Sequence, residues 1–379
     1  MQTESFETVV IGGGQAGLSV GYHLRKQGQR FVILDASERI GDAWRNRWDS
    51  LMLFTPARSC GLDGMRFPAP AASYPTKDQM ADFVGTYAKH FELPVRSGMR
   101  VRRLARDGLR FVVEAGDTQF EADNVVVAMS NSQVSRVPAL AADLAPDITQ
   151  LTSEDYRNPA QLPPGGVLVV GMGNSGADIA LEISRSHDTW LAGKETGHIP
   201  FRIETVFARH VLTRIVRFLQ HNLLSVKTPV GRKLRPKMMS ETVPLIRVKQ
   251  KDLVDAGITR TPRIATVRNG LPVTEDGQAI DVKTVVWCTG FRPGFSWIDL
   301  PVLGDRQEPQ HLAGIVPQQP GLYFVGLHFL FSLTSAQVSG VGRDARRIVN
   351  HIKQRQVHLA ASRSSMRSAV ATDEARVSA

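Results

Sequence analysis

The chain has 379 residues, 42% hydrophobic and 22% charged, with a formal net charge of +10, enough for two domains of ordinary size, each with its own core. No apolar run approaches the roughly 20 residues of a membrane span, and no N-terminal secretory signal is expected, because the first strand begins near Phe6. Cys60 and Cys288 stand alone, so a thioredoxin-reductase-like dithiol is excluded, no disulfide framework or metal cluster is expected, and a reducing cytoplasm fits.

The chain opens with VVIGGGQAGLSVGYHLRKQGQRFVILD: an apolar strand, a glycine turn, a helix and a second strand closing on Asp35. Gly12, Gly14 and Gly17 form a G-x-G-x-x-G in the setting that makes it credible. The first glycine turns the chain, the second lets backbone approach a pyrophosphate, and the third lets helix pack on strand. Gln15 and Ala16 open the helix, whose free N–H groups favour that anion. Residues 37–70 are rich in aromatics, Gly and Pro and read as irregular structure wrapped over a ligand. Thr76 or Lys77 then opens a helix to His90, with Met80, Phe83, Val84 and Tyr87 at helical spacing. Four strands follow, VRRLARD, LRFVVEA, TQFEAD and NVVVA, with a tight turn at Asp107-Gly108.

From Ser130 to Pro164 the composition shifts to Pro, Ala, Asp and Ser, which suits a connection into a second domain. That domain opens with VLVVGMGNSGADIALEISRSHDTWLAGK, carrying Gly171, Gly173 and Gly176, with Asn174 and Ser175 in the turn and Lys194 at the close. The closing residues assign the ligands. Asp35 can accept from both hydroxyls of an unmodified ribose, as FAD requires, whereas Lys194 suits a ribose 2′-phosphate, as in NADPH.

Between Ile199 and Arg247 stand ten basic residues and two acids. A solvated helical face with a few residues reaching NADPH is the favoured reading, and contact with a membrane surface the lesser one. No aromatic interleaving or nucleic-acid motif accompanies the charge, so no nucleic-acid partner is expected. Within it, Glu204 to Leu223 reads as an amphipathic helix with Val206, Phe207, Val211, Leu212, Ile215, Phe218 and Leu219 apolar. That stripe is a cover for a substrate tunnel, a subunit contact in a homodimer, or, the favoured reading, a face packed on the body. Residues 249–290 alternate short strands with turns, and GLYFVG begins a buried strand, a turn and a helix from about Thr334. Beyond Ile352 few large apolar groups remain, so disorder or fraying is expected. The expected fold is α/β with two Rossmann-like dinucleotide-binding domains. The FAD domain takes residues 1–150 and 290–352, the inserted NADPH domain 151–289 with its helical insertion at about 199–247, and the tail 353–379.

GDAWRNRWDSL, FPAPAASYPTKDQM, GMGNSGADIA and VVWCTGF together resemble the class B flavoprotein monooxygenases: the flavin-containing monooxygenases, the plant YUCCA enzymes and related bacterial flavoproteins. The resemblance covers roughly residues 5–350. It implies that Trp44 lies beside the flavin, that Val101 belongs with the FAD contacts, and that a helix N-terminus near Leu333 and Thr334 faces the flavin's pyrimidine carbonyl. It implies NADPH-dependent reduction of the flavin and oxygenation of a small organic substrate by O2 through a C4a-hydroperoxide. The outcome would be N- or S-oxygenation or a YUCCA-like oxidative decarboxylation. The catalytic residues stay open, with Phe54, Thr55, Arg58 and His328 as pocket candidates.

Three features depart from the family pattern. The histidine and glycine of the Phe-Gly-His-aromatic series fall on Thr152 and Ile148, which weakens Baeyer–Villiger chemistry. The asparagine that many members set against the flavin's reactive edge aligns with Phe54, and the first A-T-G crossing reads Ala128-Met129-Ser130. An NADPH oxidase releasing hydrogen peroxide is therefore the alternative enzyme, and a flavin redox sensor or transport regulator the alternative from another class.

Overall fold

The computed structural model describes residues 2–240 and 243–377. Its first sheet contains β1 (Gln2–Ile11), β2 (Phe31–Leu34), β3 (Val95–Arg96), β4 (Val101–Asp107), β5 (Arg110–Ala115) and β6 (Thr118–Val127), in the order β3-β2-β1-β6-β5-β4. Helix α1 (Gln15–Lys26) links β1 to β2, which pair in parallel with Val10 beside Ile33. Both faces of β2 and of the last four residues of β1 are buried, as their apolar runs require. Val10 and Ile33 face one core layer with Leu18, Leu24, Met80 and Tyr87, and Val9, Ile11, Val32 and Leu34 face the other. α2 (Lys77–His90) carries a complete capping box, with the Thr76 side chain accepting from the Gln79 N–H.

TQFEAD and NVVVA form one ten-residue strand rather than two. Asn124, at the join of the two segments, lies opposite Thr8 and donates to the Glu7 carbonyl at 3.1 Å. β6 also divides the sheet. Its first half pairs antiparallel with β5, and its second half pairs in parallel with a strand from near the chain's end.

The second sheet is wholly parallel. It contains β7 (Thr149–Thr152), β8 (Val167–Val170), β9 (Thr189–Ala192), β10 (Thr259–Thr261) and β11 (Thr284–Trp287), in the order β10-β9-β8-β11-β7. α3 (Asn174–Ile183) links β8 to β9. Trp48, from the irregular segment after β2, packs into this domain's core with Tyr156, Val169 and Ile179. The same segment is tied down at Asp49, whose N–H donates to the Arg157 carbonyl at 2.8 Å.

The basic insertion is helical, but its regular part is short. α4 (Thr213–Phe218) is flanked by π-helical turns at Ala208–Leu212 and Leu219–Leu223, and α5 (Pro229–Ser240) follows. The apolar stripe does not pack on the body. Val206, Phe207, Val211, Ile215, Phe218 and Leu219 are all exposed, so the favoured reading of that stripe is corrected. A six-residue helix, Gln250–Asp255, stands where only strands and turns were expected.

β12 (Leu322–Phe324) is the strand beside the second half of β6. The closing helix, α6 (Val338–Val377), begins four residues later than expected. The delay comes from a tight turn in which the Ser335 hydroxyl accepts the N–H groups of Phe331 and Ser332, at 3.0 and 2.9 Å. α6 also continues through the segment expected to be disordered, as far as Val377. No Gly or Pro follows Gly342, and Ala and Arg favour helix without tertiary support. The last two residues of that expected tail lie outside the described residues.

Candidate active site

The two glycine turns are built alike. Gly12 and Gly171 have φ of 106° and 117°, left-handed values that favour glycine. A side chain on Gly17 would overlap the Gly12 carbonyl, and one on Gly176 the Gly171 carbonyl. Behind each turn lies the end of a neighbouring parallel strand, the Ala128 carbonyl behind Gly12 and the Cys288 carbonyl behind Gly171. Ala128-Met129-Ser130 and Cys288-Thr289-Gly290 therefore occupy matching places in the two domains.

Both helices that follow begin without a capping side chain. Gly14 is the N-cap of α1 and Gly173 of α3, neither has a side-chain cap, and neither first turn carries an acid. Unsatisfied N–H groups at a helix start are anion-binding groups. Around Gly14 no atom stands within 4 Å of where a side chain would begin. The contrast with the fully capped α2 shows that these two ends are left open. Ala16, next to Gly17, is buried. The residues present fit a pyrophosphate at each turn.

Asp35 closes the first site. Its carboxylate accepts the Gly13 N–H and, at 2.7 Å, the Ser37 N–H, which fixes it across the glycine turn. Trp44, in a short helix at Asp42–Arg45, donates from its indole to the Gln15 side chain at 3.3 Å, so the GDAW step and the start of α1 meet. Val101 is half-buried at the head of β4, where the Met99 N–H reaches the Asp35 carbonyl at 2.7 Å. These residues come together around one turn.

At the second turn Lys194 is exposed two residues beyond β9, and Ser175 is half-buried. Asn174 turns its side chain to the segment returning from the insertion, donating to the Pro244 carbonyl at 3.1 Å and accepting from the Ile246 N–H at 2.9 Å. Its side chain thus positions backbone rather than reaching into the turn.

Leu333 and Thr334 do not form a helix N-terminus. Thr334 is fully buried, and its hydroxyl meets His221 Nδ1 at 3.1 Å and the Ser332 hydroxyl at 3.0 Å. The Leu333 N–H donates to the Leu224 carbonyl at 3.0 Å. The insertion has folded back onto the turn that was expected to face the flavin.

The chain matches the family model for pyridine nucleotide-disulphide oxidoreductases over residues 9–197. It is 36% identical over 349 residues to a CzcO-like oxidoreductase of Geobacillus kaustophilus, covering 91% of this chain and 98% of that protein. It is 27% identical to the probable indole-3-pyruvate monooxygenase YUCCA7 of Arabidopsis thaliana, over 91% of this chain and 86% of that one. A flavin-containing monooxygenase structure from Stenotrophomonas maltophilia superposes with a TM-score of 0.72 at 28% identity, covering 93% of this chain and 99% of that one. The chain belongs to the class B flavoprotein monooxygenases. This flavoprotein is an oxidoreductase of two Rossmann-like domains that uses a flavin and a nicotinamide cofactor. No helix among the described residues is long and apolar enough to cross a membrane.

In this flavoprotein the four pocket candidates separate. Phe54 is 41% exposed. The Thr55 hydroxyl lies 3.2 Å from Cys60 Sγ, and burial pushes that thiol up to about 11. Arg58 donates to the Arg209 carbonyl, which joins the LFTPAR loop to the insertion. The His328 N–H donates to the Asn131 side chain at 2.8 Å. It keeps solvent access but is crowded by protein, and the crowding pushes its imidazole below the ordinary range.

Two features escaped the sequence reading. Arg58, Arg209, Arg217 and Arg247 come from two distant segments and have no carboxylate partner among the described residues. They are held instead by the carbonyls of Arg209 and Met52, the Tyr74 ring and the Ser59 hydroxyl. The other is Asp178 on α3, where burial pushes the carboxyl up to about 6 against the opposing effect of Arg247. The sequence signal for the first was the excess of arginine in the insertion, and for the second none.

Proposed function

We propose that this flavoprotein is an FAD-dependent, NADPH-consuming monooxygenase of a small organic substrate. The observation that carries the reading is the pair of glycine turns, built alike and both uncapped, closed by Asp35 in one case and Lys194 in the other. An acid suits an unmodified ribose and a lysine a 2′-phosphate. When bound, FAD supplies the hydride acceptor and the means of activating O2.

The chain's own residues bind and orient. The N–H groups at the starts of α1 and α3 take the two pyrophosphates, Asp35 orients a ribose, Lys194 selects the phosphorylated nucleotide, and Trp44 lies along the first cofactor. Arg58 and Arg217, which form no ion pair with a carboxylate among the described residues, favour a substrate that carries an acid group. That agrees with the YUCCA relative, a probable monooxygenase of indole-3-pyruvate, itself an acid.

A substrate screen that follows NADPH consumption, with hydrogen peroxide measured in parallel, tests the proposal. A compound that is oxygenated in step with NADPH consumption supports it. Peroxide formed one for one with NADPH, whatever is added, would establish the oxidase reading instead. That second reading is favoured by one observation: Phe54, with no hydrogen-bonding side chain, stands where the sequence resemblance sets an asparagine.

A further inference from the structure

The insertion turns an apolar row outward. Phe207, Val211, Ile215 and Phe218 follow one another at intervals of four, four and three residues, the spacing of a single helical face. Phe207 is 61% and Phe218 65% exposed. Their opposite side is anchored. Ala208 is fully buried, the Arg209 carbonyl accepts from Arg58, and His221 bonds to Thr334. A helix held this firmly by one side presents the other as a fixed surface. Exposed apolar rows of this size mark interaction sites rather than ordinary surface.

The charge of the same insertion identifies the partner. Arg214, Lys227, Arg232 and Lys233 are exposed and have no carboxylate partner among the described residues. Glu204 is the one acid of the segment among the described residues, and it is exposed. A second copy of the chain would set the same cations against each other. An anionic bilayer neutralises them, and its acyl boundary takes the aromatic and aliphatic row.

We propose that the insertion binds the surface of an anionic membrane, with Phe207 and Phe218 entering the boundary between headgroups and acyl chains. The helix lies in the plane of the surface and does not span it. This holds whichever reaction the flavin site performs.

The test is sedimentation of the full-length holoprotein with phosphatidylcholine vesicles and with vesicles that also contain phosphatidylglycerol. Binding to the anionic vesicles that is weakened by salt supports the proposal, with about tenfold or greater loss of partition in the Phe207→Ser, Phe218→Ser double variant. Retained flavin and cooperative unfolding show that the variant is folded. If it fails to fold, Arg214→Gln with Lys233→Gln carries the test, and the preference for anionic vesicles should fall. The proposal is overturned if the parent does not bind, or if the phenylalanine variant binds as well as the parent. It is also overturned if the row mediates a concentration-dependent dimer that the same substitutions dissolve.

Discussion

His221 Nδ1 lies 3.1 Å from the Thr334 hydroxyl, and this contact joins the basic insertion to the turn ahead of the last helix. Arg343 reinforces it, donating to the His221 carbonyl at 2.8 Å and to the Ser332 hydroxyl at 2.9 Å. Burial, followed by the nearby Arg343 and Arg217 charges, pushes the His221 imidazole down to about 4. The ring is therefore neutral in the folded protein at physiological pH.

A histidine with a lowered folded pKa makes stability depend on pH in a definite sense. The unfolded chain takes up its proton near 6.5 and the folded chain only near 4, so the unfolded state binds more protons between those values. His221's contribution is intact above 6.5 and is lost as pH falls toward 4. His311 acts the same way, and Asp178, raised to about 6, acts oppositely. The test is therefore a comparison: His221→Gln should lose about 1 kcal/mol at neutral pH and show a flatter fall of Tm with acid than the parent. Parallel curves for the two proteins would place the acid sensitivity elsewhere.

The third glycines give the sharpest separation of the two cofactors. In Gly176→Ala the new methyl meets the Gly171 carbonyl, and in Gly17→Ala the Gly12 carbonyl, both backbone atoms that cannot turn aside. Overpacking of this kind costs about 1–3 kcal/mol and shifts the helix start away from its strand. Gly17→Ala is expected to purify with little flavin. Gly176→Ala should keep its flavin absorbance and lose reduction by NADPH. Loss of flavin from Gly176→Ala, or full reduction by NADPH, would reverse or remove the assignment.

Asp35 is expected to matter twice. Asp35→Ala strips the acceptor from the Gly13 and Ser37 N–H groups, at a cost of about 1–3 kcal/mol for donors left unsatisfied. It also removes the group proposed to orient the ribose. Flavin content should fall further than in Asp35→Asn, whose amide oxygen still accepts one N–H. Flavin content in both variants equal to the parent's would confine Asp35 to holding the turn.

The nucleotide folds were legible because their physics is local. An apolar strand, a glycine at positive φ and an uncapped helix all lie within about 30 residues. Features set by distant partners were not legible. TQFEAD and NVVVA read as two strands, yet the chain runs through Asn124 as one, its side chain donating to the Glu7 carbonyl. The stripe from Phe207 to Phe218 has the periodicity of a packed helix, and periodicity does not say which way such a face points. A helix was expected from about Thr334, yet the Ser335 hydroxyl serves a turn there and the helix waits for Val338. The arginines without acids became visible only when residues 52–59 and 209–247 met.

Lys194 is the residue proposed to decide which nicotinamide nucleotide is used. It is exposed and has no ion-pair partner among the described residues, so its removal should leave stability within about 0.5 kcal/mol. A charge-assisted contact to a phosphate is worth about 1.5–3 kcal/mol, or roughly tenfold to a hundredfold in affinity. Lys194→Ala should therefore lower kcat/KM for NADPH by that factor through KM, while NADH, which has no 2′-phosphate, changes by less than about twofold. Arg260, two strands across from β8, pairs with Glu195 and lies near enough to take over part of the role. Lys194→Ala combined with Arg260→Ala separates the two. If the double variant still prefers NADPH, or if Lys194→Ala weakens both nucleotides equally, the 2′-phosphate is bound elsewhere and the assignment of the second turn to NADPH loses its support.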